Sequence, residues 1–227
     1  MVVQILGAVT MRGDERILTI LLEKADDKSA EVAQEAVLSL VKVSEPREAR
    51  VVAKVCDSLK HKDSWVRRSA ADALPKVANV GDENVVLALS QRLADTDGEV
   101  VQVAIRSLSQ VTRKGDKVAV KALCSALNHR DDWTRTAGAE ALALVAEAGD
   151  AAVVKALVAS LKDFEPGVAS EAARSLGKLG PPDDDSVLDA LSEMLENPEA
   201  VVRKAAVDAM AALVGRGRPR AVAAAIS

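Results

Sequence analysis

The 227-residue chain repeats itself every 34 residues, and that period constrains its fold more than any other feature. Between positions 63 and 77, small or apolar residues fall at Val66, Ala70, Ala73, Leu74 and Val77, a spacing that puts one stripe on one helix face. A step of 34 residues finds the stripe again. Its first column reads Val32, Val66, Val100, Thr134, Val168 and Val202. Its fifth reads Ala36, Ala70, Ala104, Gly138, Ala172 and Ala206, and its ninth Leu40, Leu74, Leu108, Leu142, Leu176 and Met210. A constant period of this size marks a stack of helical repeats, in which each repeat buries its apolar face only against its neighbours.

The composition limits what such a stack can do. Hydrophobic residues make up 49% of the chain, yet it has two Trp, one Phe and no Tyr. The core must then be Ala, Val and Leu, small enough for helices to approach closely. Charged residues are 28% and the net charge is −4, without the basic footprint of a nucleic-acid binder. No run approaches the ~18 apolar residues that span a bilayer. The apolar start, Val2 to Val9, is interrupted by Gln4, lacks leading basic residues and stays in phase with the repeat, so it reads as the end of a helix and not as a signal peptide. Cys56 and Cys124 lie two repeats apart, roughly 20 Å at about 10 Å per helix layer, too far for a disulfide. Unpaired cysteines and the lack of a leader pattern suit a cytoplasmic protein.

Each repeat reads as a first helix, a short turn and a second helix. An acidic cap opens each first helix at Asp14, Glu48, Asp82, Asp116, Asp150 and Asp184. Gly81, Gly115 and Gly149 precede three of these caps, where a left-handed residue would end the previous helix. The interhelix turns carry Asp63, Asp97, Asp131, Glu165 and Glu199, and Pro166 and Pro198 sit where a second helix can begin. Pro75 falls inside a helix, where it should kink the last turn.

The pattern Asp63, Val66, Arg67, Ala70, Ala73, Leu74 resembles the Asp-x-x-Val-Arg-x-x-Ala-x-x-Ala-Leu of the HEAT-repeat family, particularly the short HEAT-like form of phycobilin lyases. It recurs with departures over essentially the whole chain. The resemblance implies an all-α fold, a right-handed α-solenoid of stacked antiparallel helix pairs whose second helices line the concave side. Six repeats cover residues 13–214, flanked by partial repeats at 1–12 and 215–227, in one solenoid over 1–227. In the resembled family the Arg of Arg67, Arg135 and Arg203 bridges to turn acids. HEAT-like hydroxylases that bind iron carry His-Glu pairs, whereas His61 and His129 precede Lys62 and Arg130.

Alternate repeats agree better than neighbours. Cys56, His61, Trp65 and Arg67 recur as Cys124, His129, Trp133 and Arg135, and Ser39, Ser107 and Ser175 alternate with Ala73, Ala141 and Ala209. The copied block is therefore 68 residues long. One column of the second helix reads Leu38, Asp72, Arg106, Glu140, Arg174, Asp208, which predicts a ladder of alternating charge along adjacent helices.

Chemistry finds little foothold. Each Cys-x4-His pair offers two soft ligands where a structural zinc needs about four, and no Gly-rich elbow flanks a Ser. Trp65 and Trp133 serve either as a cover over the interhelix turn or as anchors for a partner. The basic stretch at 215–220 reads as a solvated connecting turn. The expectation is a non-catalytic protein-binding or scaffolding module without metal or cofactor. It would bind a protein or peptide, and neither nucleic acid nor membrane, through Arg68, Asp72, Lys76, Gln102, Arg106, Gln110, Thr136, Glu140, Arg174 and Lys178, with Trp65 and Trp133 beside them. The resemblance leaves an alternative, a chromophore-lyase-like or other enzyme subunit, for which three aromatics supply little stacking surface. Apolar ends at Val2, Ile5, Leu6, Val9, Val222 and Ile226 predict weak self-association.

Overall fold

The computed structural model describes residues 12–226, with side-chain surroundings through Arg216. These residues fall into two compact halves divided between Arg113 and Lys114. The N-terminal half holds repeats 1 to 3: α1 (Glu15–Lys24) with α2 (Ala30–Val43), α3 (Ala49–Ser58) with α4 (Ser64–Val77), and α5 (Glu83–Gln91) with α6 (Gly98–Val111). The C-terminal half holds repeats 4 to 6: α7 (Lys117–Ala126) with α8 (Asp132–Val145), α9 (Ala151–Ser160) with α10 (Pro166–Leu179), and α11 (Asp185–Glu193) with α12 (Ala200–Ile226). The described residues contain no strand, and none of their helices is long and apolar enough to cross a membrane.

Each half is built on its second helices. In one, α4 packs against α2 and α6; in the other, α10 packs against α8 and α12. The stripe columns supply the contact. Ala36, Ala70, Ala104, Leu40, Leu74 and Leu108 are fully buried in the N-terminal half, as are Ala172, Ala206, Leu142 and Leu176 in the C-terminal half. Small residues let the backbones close in. A Cβ on Gly177 would come within 2.9 Å of the Ala209 Cα, so α10 and α12 meet where only glycine fits. Two polar residues in the columns are satisfied by hydrogen bonds. Thr134 is buried because its hydroxyl donates to Asp131 at 2.7 Å, and Ser175 donates to the Ala139 carbonyl of the neighbouring helix at 2.8 Å.

The helix starts follow the acidic caps. Asp14, Asp82, Asp116, Asp150 and Asp184 each accept two amide N–H bonds from the first turn, satisfying donors that have no partner within the helix. Glu48 occupies the same place without a capping bond, its carboxylate turned to Arg50 at 2.7 Å. Pro166 opens α10 as its residue types predict, whereas Pro198 lies before the start of α12.

Three expectations are corrected. Gly81, Gly115 and Gly149 do adopt the left-handed region, at φ 82, 81 and 80°, but not as helix caps. The helices before Gly81 and Gly149 end in extended residues, Ala78 and Ala146, and each glycine sits in the turn that follows. There each amide donates to the last carbonyl of its own repeat's second helix, Gly81 to Val111 at 2.6 Å and Gly149 to Leu179 at 2.7 Å, which ties the repeat closed. Arg47 takes the equivalent place in repeat 2 with φ 67°. Second, no turn forms at 215–220, where the backbone of α12 stays helical to Ile226. Arg216 helps hold it, donating to the carbonyls of Gly177 and Gly180 at 2.9 and 2.8 Å at the end of α10.

Third, the charge ladder does not form within either half. Asp72 accepts from Lys76 on its own helix at 2.6 Å, and Arg174 donates to Glu171 at 2.7 Å. A partner one turn away on the same helix is nearer than one on a helix about 10 Å off. Pro75 lies within α4, which continues to Val77. The apolar positions Val2, Ile5, Leu6 and Val9, and the side chains of Val222 and Ile226, lie outside the described residues.

Candidate protein-binding face

The arginine that recurs in alternate repeats builds the frame of the candidate site. Arg67 is buried on α4, where Nε and Nη2 reach both oxygens of Asp95 at 2.9 and 2.7 Å. Its Nη1 donates to the carbonyls of His61 and Lys62 at 2.9 and 3.0 Å. Asp95 stands in the interhelix turn of the next repeat, so one guanidinium locks two turns together. Arg135 repeats the arrangement, with Asp163 at 2.7 and 2.9 Å and the His129 and Arg130 carbonyls at 2.9 and 3.2 Å. Burial alone would raise the Asp95 carboxyl. The Arg67 bonds and the Asp97 amide outweigh it and hold the group below its ordinary value, and Asp163 behaves in the same way with Arg135 and Glu165.

The histidines belong to this frame. His61 Nδ1 accepts the Asp63 amide at 3.0 Å and His129 Nδ1 accepts that of Asp131 at 3.1 Å, shaping the turns that offer their carbonyls to the arginines. Cys56 and Cys124 are half-buried and free. Burial, with Asp82 and Asp57 nearby, pushes the Cys56 thiol up to about 11, which makes it a poor nucleophile. Among the described residues no group of three or more His, Cys, Asp or Glu is placed to hold a metal ion.

Above the frame lies the face expected to bind. On α4, Trp65, Arg68, Asp72 and Lys76 follow one another by three and four residues, which keeps them on one side of the helix. On the neighbouring α6, Gln102, Arg106 and Gln110 do the same, all exposed. On α8, Trp133, Thr136 and Glu140 form the row and the exposed Leu144 extends it; on α10, Arg174 and Lys178 stand exposed. Arg68 joins the two N-terminal rows, donating to Glu99 at 2.6 Å.

The tryptophans do not cover the turns. Trp65 is 59% exposed and Trp133 71%, because one residue before the stripe is about 100° around the helix from the buried Val66 or Thr134. Arg68 lies over the Trp65 ring at 5.4 Å, and the two help line a cleft of about 510 Å3 with Ser64, Asp97, Glu99 and Gln102. Residue types alone missed Phe164, which is 80% exposed in the turn before α10 and rests one face on Arg135 at 5.1 Å. Its signal was available: it is the chain's single Phe, and it falls in a turn and not in a stripe.

Matches to known proteins agree with this repeat fold. A family model described as HEAT repeats matches residues 18–109, 52–143 and 120–211. The chain belongs to the HEAT-repeat family. No curated protein sequence matches it. Among solved structures, this HEAT-repeat chain is similar to an engineered protein at 26% identity, with 87% of this chain and 96% of that one covered and a TM-score of 0.62. The archaeal HEAT-like repeats protein from Thermococcus onnurineus NA1 is 16% identical, with 94% and 92% covered and a TM-score of 0.63. A designed armadillo repeat protein in complex with the peptide (KR)4 is 17% identical, with 86% and 99% covered and a TM-score of 0.63. At these last two identities the likeness is one of fold.

Proposed function

We propose that the chain is a non-catalytic protein-binding module that holds an extended segment of a partner against the exposed rows of its second helices. The observation that carries this is the placement of the aromatics. All three, Trp65, Trp133 and Phe164, are exposed at the turns leading into second helices, while the core uses only small and aliphatic residues. An exposed Trp gains roughly 1.5–3 kcal/mol when a partner buries it, and rigid aromatics carry much of the energy of protein interfaces. Within each half the rows beside them supply hydrogen-bonding and charged groups at regular intervals, suited to a chain that runs across the successive second helices of that half. Gln102, Arg106, Gln110 and Glu140 make no ion pair among the described residues and are free to take a partner's groups. The complex of a designed armadillo repeat protein with the peptide (KR)4 gives a fold-level precedent.

Selection of a displayed random-peptide library on the immobilised chain tests the proposal. Peptides so selected should lose at least tenfold in affinity on Arg106→Glu or Glu140→Lys. Binding that survives both substitutions and the Trp65→Ala, Trp133→Ala pair would place the site elsewhere.

A further inference from the structure

The 68-residue period puts the same aromatic in two different surroundings. In the N-terminal half Trp65 is already occupied: the Arg68 guanidinium lies over its ring at 5.4 Å and donates to the Glu99 carboxylate at 2.6 Å. The molecule here displays what its own cleft holds, an arginine between an aromatic face and a carboxylate. In the C-terminal half the positions 68 residues on keep the aromatic and drop the occupant. Trp133 replaces Trp65, but Thr136 stands where Arg68 was and Gly167 where Glu99 was. Trp133 is accordingly the more exposed of the two, and no cation lies over it among the described residues.

The rest of that rim has changed in the direction a ligand would require. Thr96, which lines the cleft beside Trp65, is replaced by Phe164, whose inner face rests on Arg135 and whose outer face is open. Ser64 is replaced by Asp132 and Asp97 by Glu165. Asp132 and Glu165 make no ion pair among the described residues, and Glu165 makes no capping bond at the start of α10. The charged groups of the two turns are Asp131, Asp132, Asp163 and Glu165 against Arg130 and Arg135, with Lys162 drawn off to Glu193 at 3.5 Å. Of these, Asp163 and Arg135 neutralise each other. What remains, Asp131, Asp132 and Glu165 against the exposed Arg130, is net acidic and lies beside the two exposed aromatics.

We infer that the Trp133–Phe164 rim receives an arginine side chain from a partner's basic segment, in the place that Arg68 fills for Trp65. A guanidinium fits better than an ammonium because it is planar, stacks on an aromatic face and donates in the same plane to a carboxylate. This rests on the protein-binding reading above and narrows it to one anchor and one residue type. The N-terminal cleft, holding its own arginine, is closed to the same ligand.

The test uses the full chain with Trp65→Phe, so that Trp133 is the only fluorophore, and an octapeptide of alternating Gly and Arg. Matched Gly-Lys and Gly-Glu octapeptides serve as comparators. The arginine peptide should change Trp133 emission saturably at one site, the lysine peptide should bind more weakly, and the glutamate peptide should not bind. Thr136→Arg with Gly167→Glu supplies the missing occupant and should weaken binding at least tenfold with the melting temperature retained. Arg68→Thr in the otherwise natural chain should open a second site, read by calorimetry as two peptides bound. Equal binding of the glutamate peptide, or arginine binding unmoved by both Thr136→Arg/Gly167→Glu and Trp133→Ala, would overturn the inference. Self-association of the natural chain that Trp133→Ala abolishes would also overturn it, by assigning the rim to a second copy. If library-selected peptides still bind through Arg106 and Glu140 without any arginine requirement, the arginine inference fails while the protein-binding reading stands.

Discussion

Replacing Arg135 by Met should be among the most damaging single changes to the C-terminal half. The side chain is 7% exposed and its partner Asp163 11%. The substitution removes two charged bonds to Asp163 and leaves that buried carboxylate with the Glu165 amide at 3.0 Å. It also strips donors from the His129 and Arg130 carbonyls. Breaking one side of a buried pair costs about 3–5 kcal/mol. Arg203 provides an internal control, since its Nη1 reaches the Asn197 and Pro198 carbonyls at 2.7 Å each, with no carboxylate partner among the described residues. Arg203→Met should then cost only about 0.5–1.5 kcal/mol, the net worth of such bonds. For a chain of this size each kcal/mol moves Tm by roughly 2–4 °C, so the two variants should melt several degrees apart. Asp163→Leu added to Arg135→Met should recover most of the loss, because an apolar pair tolerates the same burial. The gap should also close in acid. Asp163 is held below its unfolded value, so its stabilisation is complete above an unfolded pKa of about 3.9 and fades as pH falls through the folded value. Thermal melts at pH 7 and pH 3 decide it. Variants at 135 and 203 that agree within about 0.5 kcal/mol at pH 7 would refute the reasoning, since the loss assigned to the orphaned carboxylate should exceed that margin.

Three other outcomes follow from the packing. Arg47→Gly should stabilise the chain by up to about 1 kcal/mol, because a non-glycine residue at φ 67° carries a steric penalty; a lower Tm in the variant would contradict this. Gly177→Ala should destabilise by about 1–3 kcal/mol through the close Ala209 backbone, while Gly215→Ala, with open space around it, should stabilise by about 1 kcal/mol; urea titrations of the pair test the contrast. Cys56 should alkylate slowly at pH 8 and quicken only as pH rises toward about 11, measured by iodoacetamide labelling and mass spectrometry.

The fold was largely legible because the stripe columns are set by packing, which repeats with the sequence. Ala70, Leu74 and their equivalents had to face neighbours, and the acidic caps had to meet free amides. The left-handed glycines were visible as glycines, but their turn was not, since φ alone does not say whether a residue ends a helix or lies three residues beyond it. The ladder failed for a reason of distance: a column fixes register between helices, yet Lys76 lies nearer to Asp72 than any group across the interface. The exposed rows proposed to bind were readable from helical spacing. The aromatic rim was only half so, because Trp65 and Trp133 look alike in sequence, and their difference appears only once Arg68 and Glu99 are seen to meet over one ring. The acids of the buried clamps, Asp95 and Asp163, stand 28 residues from their arginines, a separation that local patterns do not reveal.

The claim that the second-helix rows are the binding face is tested most directly by mapping backbone amide shifts of the labelled chain on titration with a library-selected peptide. Shifts concentrated at Trp65, Gln102, Arg106 and Gln110 in one half, and at Trp133, Glu140, Leu144 and Arg174 in the other, are the predicted result. Shifts confined to the first helices, around Val52, Cys56 and Leu87 in the groove between α3 and α5, would contradict it.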